Sequence, residues 1–200
     1  RDQLLAASSP TGPAFEGAQL SCGQRATVGA IERVRIDHDT LEPRFKVIGC
    51  DLWSDDPGFA AATAHLDVSG ICGSGIIEVI AEMYLAGVID SEGVVQGALA
   101  ARTTRVVPDG RTFSYVVHEA MGVRLMITQN DVRAIQLAKA ALRAGIELLY
   151  RHAGVTADGR PLPQVLSDAG IIPGIKVDAG TRPLAGFPDE VVTEGLDRLR

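Results

Sequence analysis

Aromatic residues, cysteines and long apolar runs are all scarce in this chain of 200 residues. Aromatic side chains make up 4%, so the core must be built mainly from Ile, Val, Leu and Ala. The three cysteines, Cys22, Cys50 and Cys72, are far apart in the sequence. An odd number without a CxxC pair predicts reduced thiols and argues against a disulfide framework and against a zinc or iron–sulfur site. No apolar run approaches the roughly 18 residues that a membrane-spanning helix needs.

Positive charge is also in deficit, because the formal net charge is −6. This balance argues against nucleic acid or an anionic membrane as the main partner. The first residues, RDQLLAASSPTG, lack the basic and apolar regions of a secretory signal. The four histidines show no metal-binding spacing, so no metal site is predicted. We therefore expect a globular cytoplasmic protein.

The hydrophobic pattern predicts a mixed α/β body through about residue 152. Apolar residues alternate with charged ones in GAIERVRI (29–36), and KVIG (46–49) predicts a short buried strand. The turn PDG separates RTTRVV from RTFSYVV, which predicts a hairpin, and VRLMI predicts a third strand. Helical spacing predicts a helix over 74–87, with Ser74 as its N-cap, and a longer helix over 128–152.

The longer predicted helix has a start signal and an apolar face. Thr128 and Asp131 form a variant of the capping box, in which each residue satisfies a free N–H group near the other. The predicted apolar face consists of Ile135, Ala138, Leu142, Ile146 and Leu149.

A polar strip lies beside that apolar face and consists of Gln136, Lys139 and Arg143. A nucleotide could lie along this strip, with Lys139 on a phosphate or ribose and Arg143 stacked on a base. The alternative is an ordinary solvated helix face. The residues alone leave both interpretations open.

Two glycine-rich stretches are candidates for binding phosphate. Gly12 and Gly17 belong to GPAFEGA (12–18), and Gly73, Ser74 and Gly75 belong to GICGSG (70–75). Glycines before a helix leave backbone N–H groups free, and the helix dipole adds partial positive charge there. The alternative is a set of tight turns, because neither stretch matches a P-loop or a dinucleotide fingerprint.

A third candidate site lies in IIPGIKV (171–177), a nearly continuous apolar run that is typical of a parallel strand covered on both faces. Lys176 stands near its end, where it would point into the mouth of a barrel, and Asp178 would face the same side. These two are our candidate catalytic residues. The alternative is a strand-end lysine that reaches solvent.

Three stretches carry a resemblance to a known family. They are SSPTGPAFEGAQLSCGQRATVGAIE, VSGICGSGIIEVIAEMYLAGVID and ITQNDVRAIQLAKAALRAGIELL. Through them, residues 4–154 resemble the C-terminal ATP-binding domain of the iron–sulfur reductive activators of corrinoid proteins. These activators belong to the sugar kinase/Hsp70/actin superfamily. The resemblance predicts a partial actin-like (ribonuclease H-like) ATPase lobe over residues 1–154.

This resemblance implies ATP with Mg as the cofactor and a corrinoid protein as the partner. Hydrolysis of ATP would drive electron transfer from a [2Fe–2S] module to a cob(II)alamin protein. Gln136 and Lys139 would lie on the adenosine side, and Gly12 and Gly17 would follow the second phosphate loop. A homodimer is a further expectation.

The sequence also departs from the activators. Their acidic phosphate loop, of DIGTNGE type, is expected just before residue 1, and the adenosine loop expected after Gly154 is replaced. The cysteine-rich [2Fe–2S] region does not occur in these residues. We therefore expect no ATP hydrolysis by this chain alone, which leaves a non-catalytic interaction module as an alternative.

A different family matches the end of the chain, through GRPLPQVLSDAGIIPGIKVDAGTRPLAGFPDEVVTEGLDRLR. Residues 159–200 resemble class I fructose-bisphosphate aldolase, in which the lysine of IKVD helps to place the phosphorylated sugar substrate. The resemblance gives Lys176 this role and predicts a strand–helix fragment of a (β/α)₈ barrel over residues 155–200. One strand and part of a helix cannot close a barrel. We expect a composite chain joined near residues 154–159, with a natural fusion as the rival explanation.

Overall fold

A computed structural model describes residues 8–152 of the chain, except Gln19 and Met121. The strands are β1 (Ile31–Ile36), β2 (Pro43–Val47), β3 (Val106–Asp109), β4 (Thr112–Ala120) and β5 (Val123–Ile127). The helices are α1 (Phe59–Thr63), α2 (Gly73–Leu85) and α3 (Gln129–His152), with short 3₁₀ helices at Ala14–Glu16 and Gly97–Ala101. The predicted barrel strand, with Lys176 and Asp178, lies outside the described residues.

Strands β1 and β2 form an antiparallel ribbon with one buried face. Ile31, Val34 and Ile36 of β1 are buried, as the alternation of apolar and charged residues predicts. The second strand was predicted at 46–49, and this was wrong in its bounds. It begins at Pro43 and ends at Val47. Phe45 and Val47 are both buried and face inward, so the alternation of the strand extends back towards Pro43.

Strands β3, β4 and β5 form an antiparallel sheet in that order, which confirms the predicted hairpin and third strand. Asp109 pairs with Thr112, so the hairpin closes through the two residues between them. Gly110 occupies the first of these positions with φ of +60°, a conformation that glycine adopts without strain. The core lies between the two sheets and α2, with Tyr115 its largest fully buried side chain.

Helix α2 starts one residue earlier than its sequence predicts, and Ser74 is not its N-cap. Cys72 occupies the N-cap position in an extended conformation, and no side chain caps the helix. Cys72 is extended because its N–H donates to the Ile31 carbonyl at 3.0 Å, as the N–H of a strand residue would. The helix can therefore begin at Gly73.

Helix α3 starts with the predicted capping box. The N–H and Oγ1 of Thr128 both donate to Asp131 Oδ2 at 2.8 Å, and the Asp131 N–H donates to Thr128 Oγ1 at 3.2 Å. Ile135 and Ala138 of the predicted apolar face are buried, whereas Leu142 on the same face is 41% exposed. Within residues 8–152, no helix is both long and apolar enough to cross a membrane.

The imidazole of His118 makes the stability of the fold depend on pH. It is half-buried in β4, with its ring centroid 5.1 Å from that of Phe45. Burial first, and then the positive charge of Arg105, lower the pKa of His118 below its usual 6.5. The unfolded chain therefore binds a proton more readily than the folded one. Stability from this residue is complete above pH 6.5 and is lost as the pH falls through the lower folded-state pKa.

We expect the melting temperature to fall as the pH is lowered below 6.5, and the variant His118→Gln to reduce this dependence. Thermal unfolding followed by circular dichroism between pH 4.5 and 7.5 measures both, and His65→Gln, at an exposed position, is the control. Equal pH dependence in His118→Gln and the parent would contradict the assignment to His118.

Candidate functional site

The start of helix α2 is held between two backbone segments. Ile71 forms parallel bridges with Gly23 on one side and with Ile31 on the other. Four backbone hydrogen bonds of 2.8–3.0 Å connect residues 70–72 to these neighbours. Gly73 begins the helix directly after this point, so the bridges fix the position of its first turn.

Gly17, Gly73 and Gly75 lie where backbones pack closely, whereas a Cβ atom at Gly12 would meet nothing within 4 Å. A Cβ atom at Gly73 would overlap the Phe15 carbonyl oxygen, and one at Gly75 would lie 2.5 Å from the Ile31 carbonyl oxygen. Gly17 has φ of +79° and approaches the backbone of Gln24. The structure therefore gives Gly17, Gly73 and Gly75 a packing role. It also places the two predicted stretches side by side.

The first turn of α2 remains accessible at its outer surface. Ser74 is exposed, and its hydroxyl donates to the Glu32 carbonyl at 3.3 Å instead of capping the helix. No acidic residue lies in the first turn. A helix start of this kind leaves backbone N–H groups without partners in the helix, and such groups can bind an anion.

The segment that contains Gly12 and Gly17 also runs along α3. Its end is held at Asp131, because the Ser21 N–H donates to Asp131 Oδ1 at 2.8 Å. Its beginning packs at Gly145, where an added Cβ would collide with the Ser9 hydroxyl. The 3₁₀ helix Ala14–Glu16 lies between these points and contacts both α2 and α3. Lys139 lies on α3 between Asp131 and Gly145.

Gln136 is buried and not on an exposed polar strip. Its side chain is 6% exposed, and Nε2 donates to the Glu92 carbonyl at 3.1 Å. Arg133 donates to the same carbonyl and to Gln136 Oε1, both at 2.7 Å. Together with Gln129, which donates to the Gly93 carbonyl at 2.7 Å, these side chains hold the turn 90–94 against α3. The spacing of the three side chains at i, i+4 and i+7 is the signal that could have shown this.

Lys139 is the most unusual charge on α3. It is half-buried, and burial lowers the pKa of its ammonium to about 8. Among residues 8–146, no carboxylate forms an ion pair with it. A partly desolvated ammonium without a carboxylate is well suited to an anionic ligand. Arg143, one turn further, is exposed.

Glu78 and Glu82, which sequence reasoning missed, fix α2 against the ribbon. Glu78 accepts the Val34 N–H at 2.7 Å, and Glu82 accepts the Ile36 N–H at 3.1 Å. Burial raises the pKa of Glu78, but hydrogen bonds from Arg33 and Arg35 outweigh it, so the net pKa is lowered. The sequence signal for this contact was the pair of glutamates at i and i+4 in α2, together with the two arginines of β1.

Comparison with known proteins identifies the family of this α/β body. The family model for the C-terminal domain of RACo, the ASKHA domain, matches residues 1–160. The chain belongs to this family.

Two relatives agree with this ASKHA assignment. The corrinoid activation enzyme RamQ of Eubacterium limosum is 36% identical over 163 residues, which are 77% of this chain and 25% of RamQ. The solved structure of a reductive activator for a corrinoid, iron–sulfur protein is 27% identical, with a TM-score of 0.59, and the alignment covers 73% of this chain and 21% of that one. The chain thus spans about a quarter of the activators that it matches.

A second family matches the other end of the chain. The model for class I fructose-bisphosphate aldolase matches residues 125–200, so the two family matches overlap over residues 125–160. The probable fructose-bisphosphate aldolase class 1 of Xanthomonas campestris pv. campestris is 64% identical over 45 residues, which are 22% of this chain and 14% of that protein. Two unrelated families in one chain support the composite character that the sequence predicts.

The close packing at the start of α2 predicts the effect of adding a methyl group. Gly73→Ala should destabilise the protein by about 2–4 kcal/mol, because the added Cβ would overlap the backbone carbonyl of Phe15, which is not the far end of a flexible side chain. Urea unfolding followed by circular dichroism measures this loss. Gly58→Ala is the matched control, because its Cβ would meet only the flexible Leu52 side chain, at 3.3 Å. Equal midpoints for Gly73→Ala and the parent would show that this junction is not tightly packed.

Proposed function

We propose that this chain is the nucleotide-binding part of an ATP-dependent reductive activator of corrinoid proteins. The observation that carries the proposal is the match of residues 1–160 to the ASKHA domain family. In the proposed activator, ATP with Mg drives the transfer of an electron from a [2Fe–2S] module to a cob(II)alamin protein. We assign the [2Fe–2S] module to a part of the activator outside the quarter of RamQ that this chain matches.

The described residues fit one side of a nucleotide site. The N–H groups of Gly73, Ser74 and Gly75 would bind a phosphate at the uncapped start of α2. Gly12 and Gly17 would shape the adjacent turn, and the ammonium of Lys139 would pair with a phosphate or with the ribose. Negative charge on the ligand complements both the helix dipole and this ammonium.

Gln136 has an indirect part in this proposal. Its amide is bonded to the Glu92 carbonyl and to Arg133, so it holds α3 against the turn 90–94. In that position it would set the place of Lys139, three residues further along the helix. Contact between Gln136 and the adenosine itself remains a prediction.

This chain supplies one side of the proposed site. We therefore expect it to bind ATP weakly, and not to hydrolyse it, without the rest of an activator. Isothermal titration with Mg-ATP should give a Kd of about 1 mM or weaker. Lys139→Ala should abolish measurable binding, since it removes the partly desolvated cation. Binding by the parent should also weaken above about pH 8, where Lys139 loses its proton.

Arg124→Ala is the control for this titration, because Arg124 is an exposed residue paired with Glu119. Micromolar affinity of the parent would show that the site is more complete than we propose. Equal affinity in Lys139→Ala and the parent would remove Lys139 from the site.

A second candidate function concerns residues 159–200 and is favoured by the 64% identity to an aldolase over 45 residues. We propose that this segment derives from the substrate-binding strand of a class I fructose-bisphosphate aldolase. Lys176 and Asp178 would then be the residues that met the sugar phosphate. Because the match covers 14% of the aldolase, we expect no aldol cleavage by this chain.

Borohydride trapping with dihydroxyacetone phosphate tests the aldolase proposal. Mass spectrometry should find no reduced adduct on this chain, because Lys176 resembles the lysine that places the substrate in aldolases and not the lysine that forms their Schiff base. A class I aldolase treated in parallel is the positive control. An adduct on Lys176 that is lost in Lys176→Arg would mean that the segment retains carbonyl chemistry.

A further inference from the structure

The outer face of the β1–β2 ribbon concentrates positive charge in a chain whose net charge is −6. In the register of the ribbon, Arg33 lies opposite Lys46, and Arg35 lies opposite Arg44. Like charges directly opposite each other on neighbouring strands are destabilising. The ribbon thus carries two unfavourable cross-strand pairs on one exposed face, which folding alone does not require.

The carboxylates around this face neutralise its positive charges to different extents. Glu78 forms ion pairs with Arg33, at 3.1 Å, and with Arg35. By contrast, Arg44 is 3.7 Å from its acidic neighbour Asp55, and both side chains are more than half exposed, so solvent screens this pair. Lys46 has no ion pair among the described residues. Charge that no close or buried ion pair compensates therefore lies at Arg44 and Lys46, on β2.

Trp53 lies against these two cations. The Arg44 guanidinium carbon is 4.8 Å from the centre of the indole ring, and the Lys46 ammonium is 5.4 Å from it. Asp56 accepts the Trp53 backbone N–H at 2.7 Å. The next residue, Ser54, accepts the Phe45 N–H at 2.9 Å, which ties the loop to β2. These bonds tie the loop that carries Trp53 to β2, and the indole and both cations lie together without a partner.

We infer that Trp53, Arg44 and Lys46, flanked by Arg33 and Arg35, form a docking surface for an acidic segment of a partner protein. Tryptophan and arginine are the residues that most often dominate protein interfaces, and carboxylates complement the uncompensated cations. The negative net charge of the chain disfavours a nucleic acid at this surface. The inference uses residues outside the proposed nucleotide site and does not depend on that proposal.

Fluorescence tests this surface directly, because Trp53 is the single tryptophan of the chain. Titration of the 200-residue chain with a poly-glutamate peptide at low salt should change the tryptophan emission and reach saturation. The double variant R44Q/K46Q should weaken binding at least about tenfold, since it removes both uncompensated charges. Arg124→Gln is the matched control on another face, and we expect its affinity to equal that of the parent.

Three results would overturn the inference. The first is the absence of saturable binding to poly-glutamate, or an equal affinity for it in R44Q/K46Q and the parent. In the latter case, circular dichroism must show that the variant is folded. The second is tighter binding of a single-stranded RNA of equal charge, which would make this a nucleic-acid surface. The third is a dimer, seen by light scattering, that R44Q/K46Q dissociates, because the occupant would then be a second copy. If R44Q/K46Q does not fold, Trp53→Phe replaces it, with anisotropy of a labelled peptide as the readout and the same weakening expected.

Discussion

The contact of backbone with backbone around Ile71 is the constraint on which the rest of the described structure depends. One residue bridges two segments, and the close approach of backbones around it leaves no room for a Cβ atom at Gly23, Gly73 or Gly75. Because α2 begins immediately afterwards, its direction is set by these bridges and not by a side-chain cap. The buried side of α2 then receives the apolar face of β1, while Glu78 and Glu82 bond to the open edge of that strand. The helix, the ribbon and the glycine-rich turn therefore form one unit.

Local patterns in the sequence were sufficient for the elements that local chemistry determines. The turn at Gly110 and the capping box of Thr128 and Asp131 each depend on residues within a few positions of one another, and both were predicted. The N-cap of α2 was not, because it depends on a hydrogen bond between Cys72 and Ile31, which lie far apart in the chain. The exposure of Leu142 was missed for a related reason. Helical spacing shows which residues share a face but not how far along the helix a neighbour covers that face.

The candidate site shows the same limit. Sequence alone indicated the two glycine-rich stretches, and the structure brings them together. Gln136 is engaged by a turn more than forty positions earlier in the chain. The spacing of Gln129, Arg133 and Gln136 indicated a shared contact, but not which segment makes it. The partial burial of Lys139 was likewise missed, because a polar strip does not reveal burial. The two family matches add a separate lesson. Both family models match residues 125–160, so similarity alone does not locate the junction between the two parts of the chain.

The carboxylate of Asp131 has a consequence for how the chain reaches this structure. It accepts hydrogen bonds from Thr128, three positions away, and from Ser21, which is separated from it by 110 positions. The first contact can form as soon as the helix nucleates, whereas the second must wait until a very large loop closes, at a high cost in entropy. Helix α3 should therefore exist in nascent form before the glycine-rich segment docks along it. Assembly of the described residues would then end with the docking of the glycine-rich segment, as a late and cooperative event.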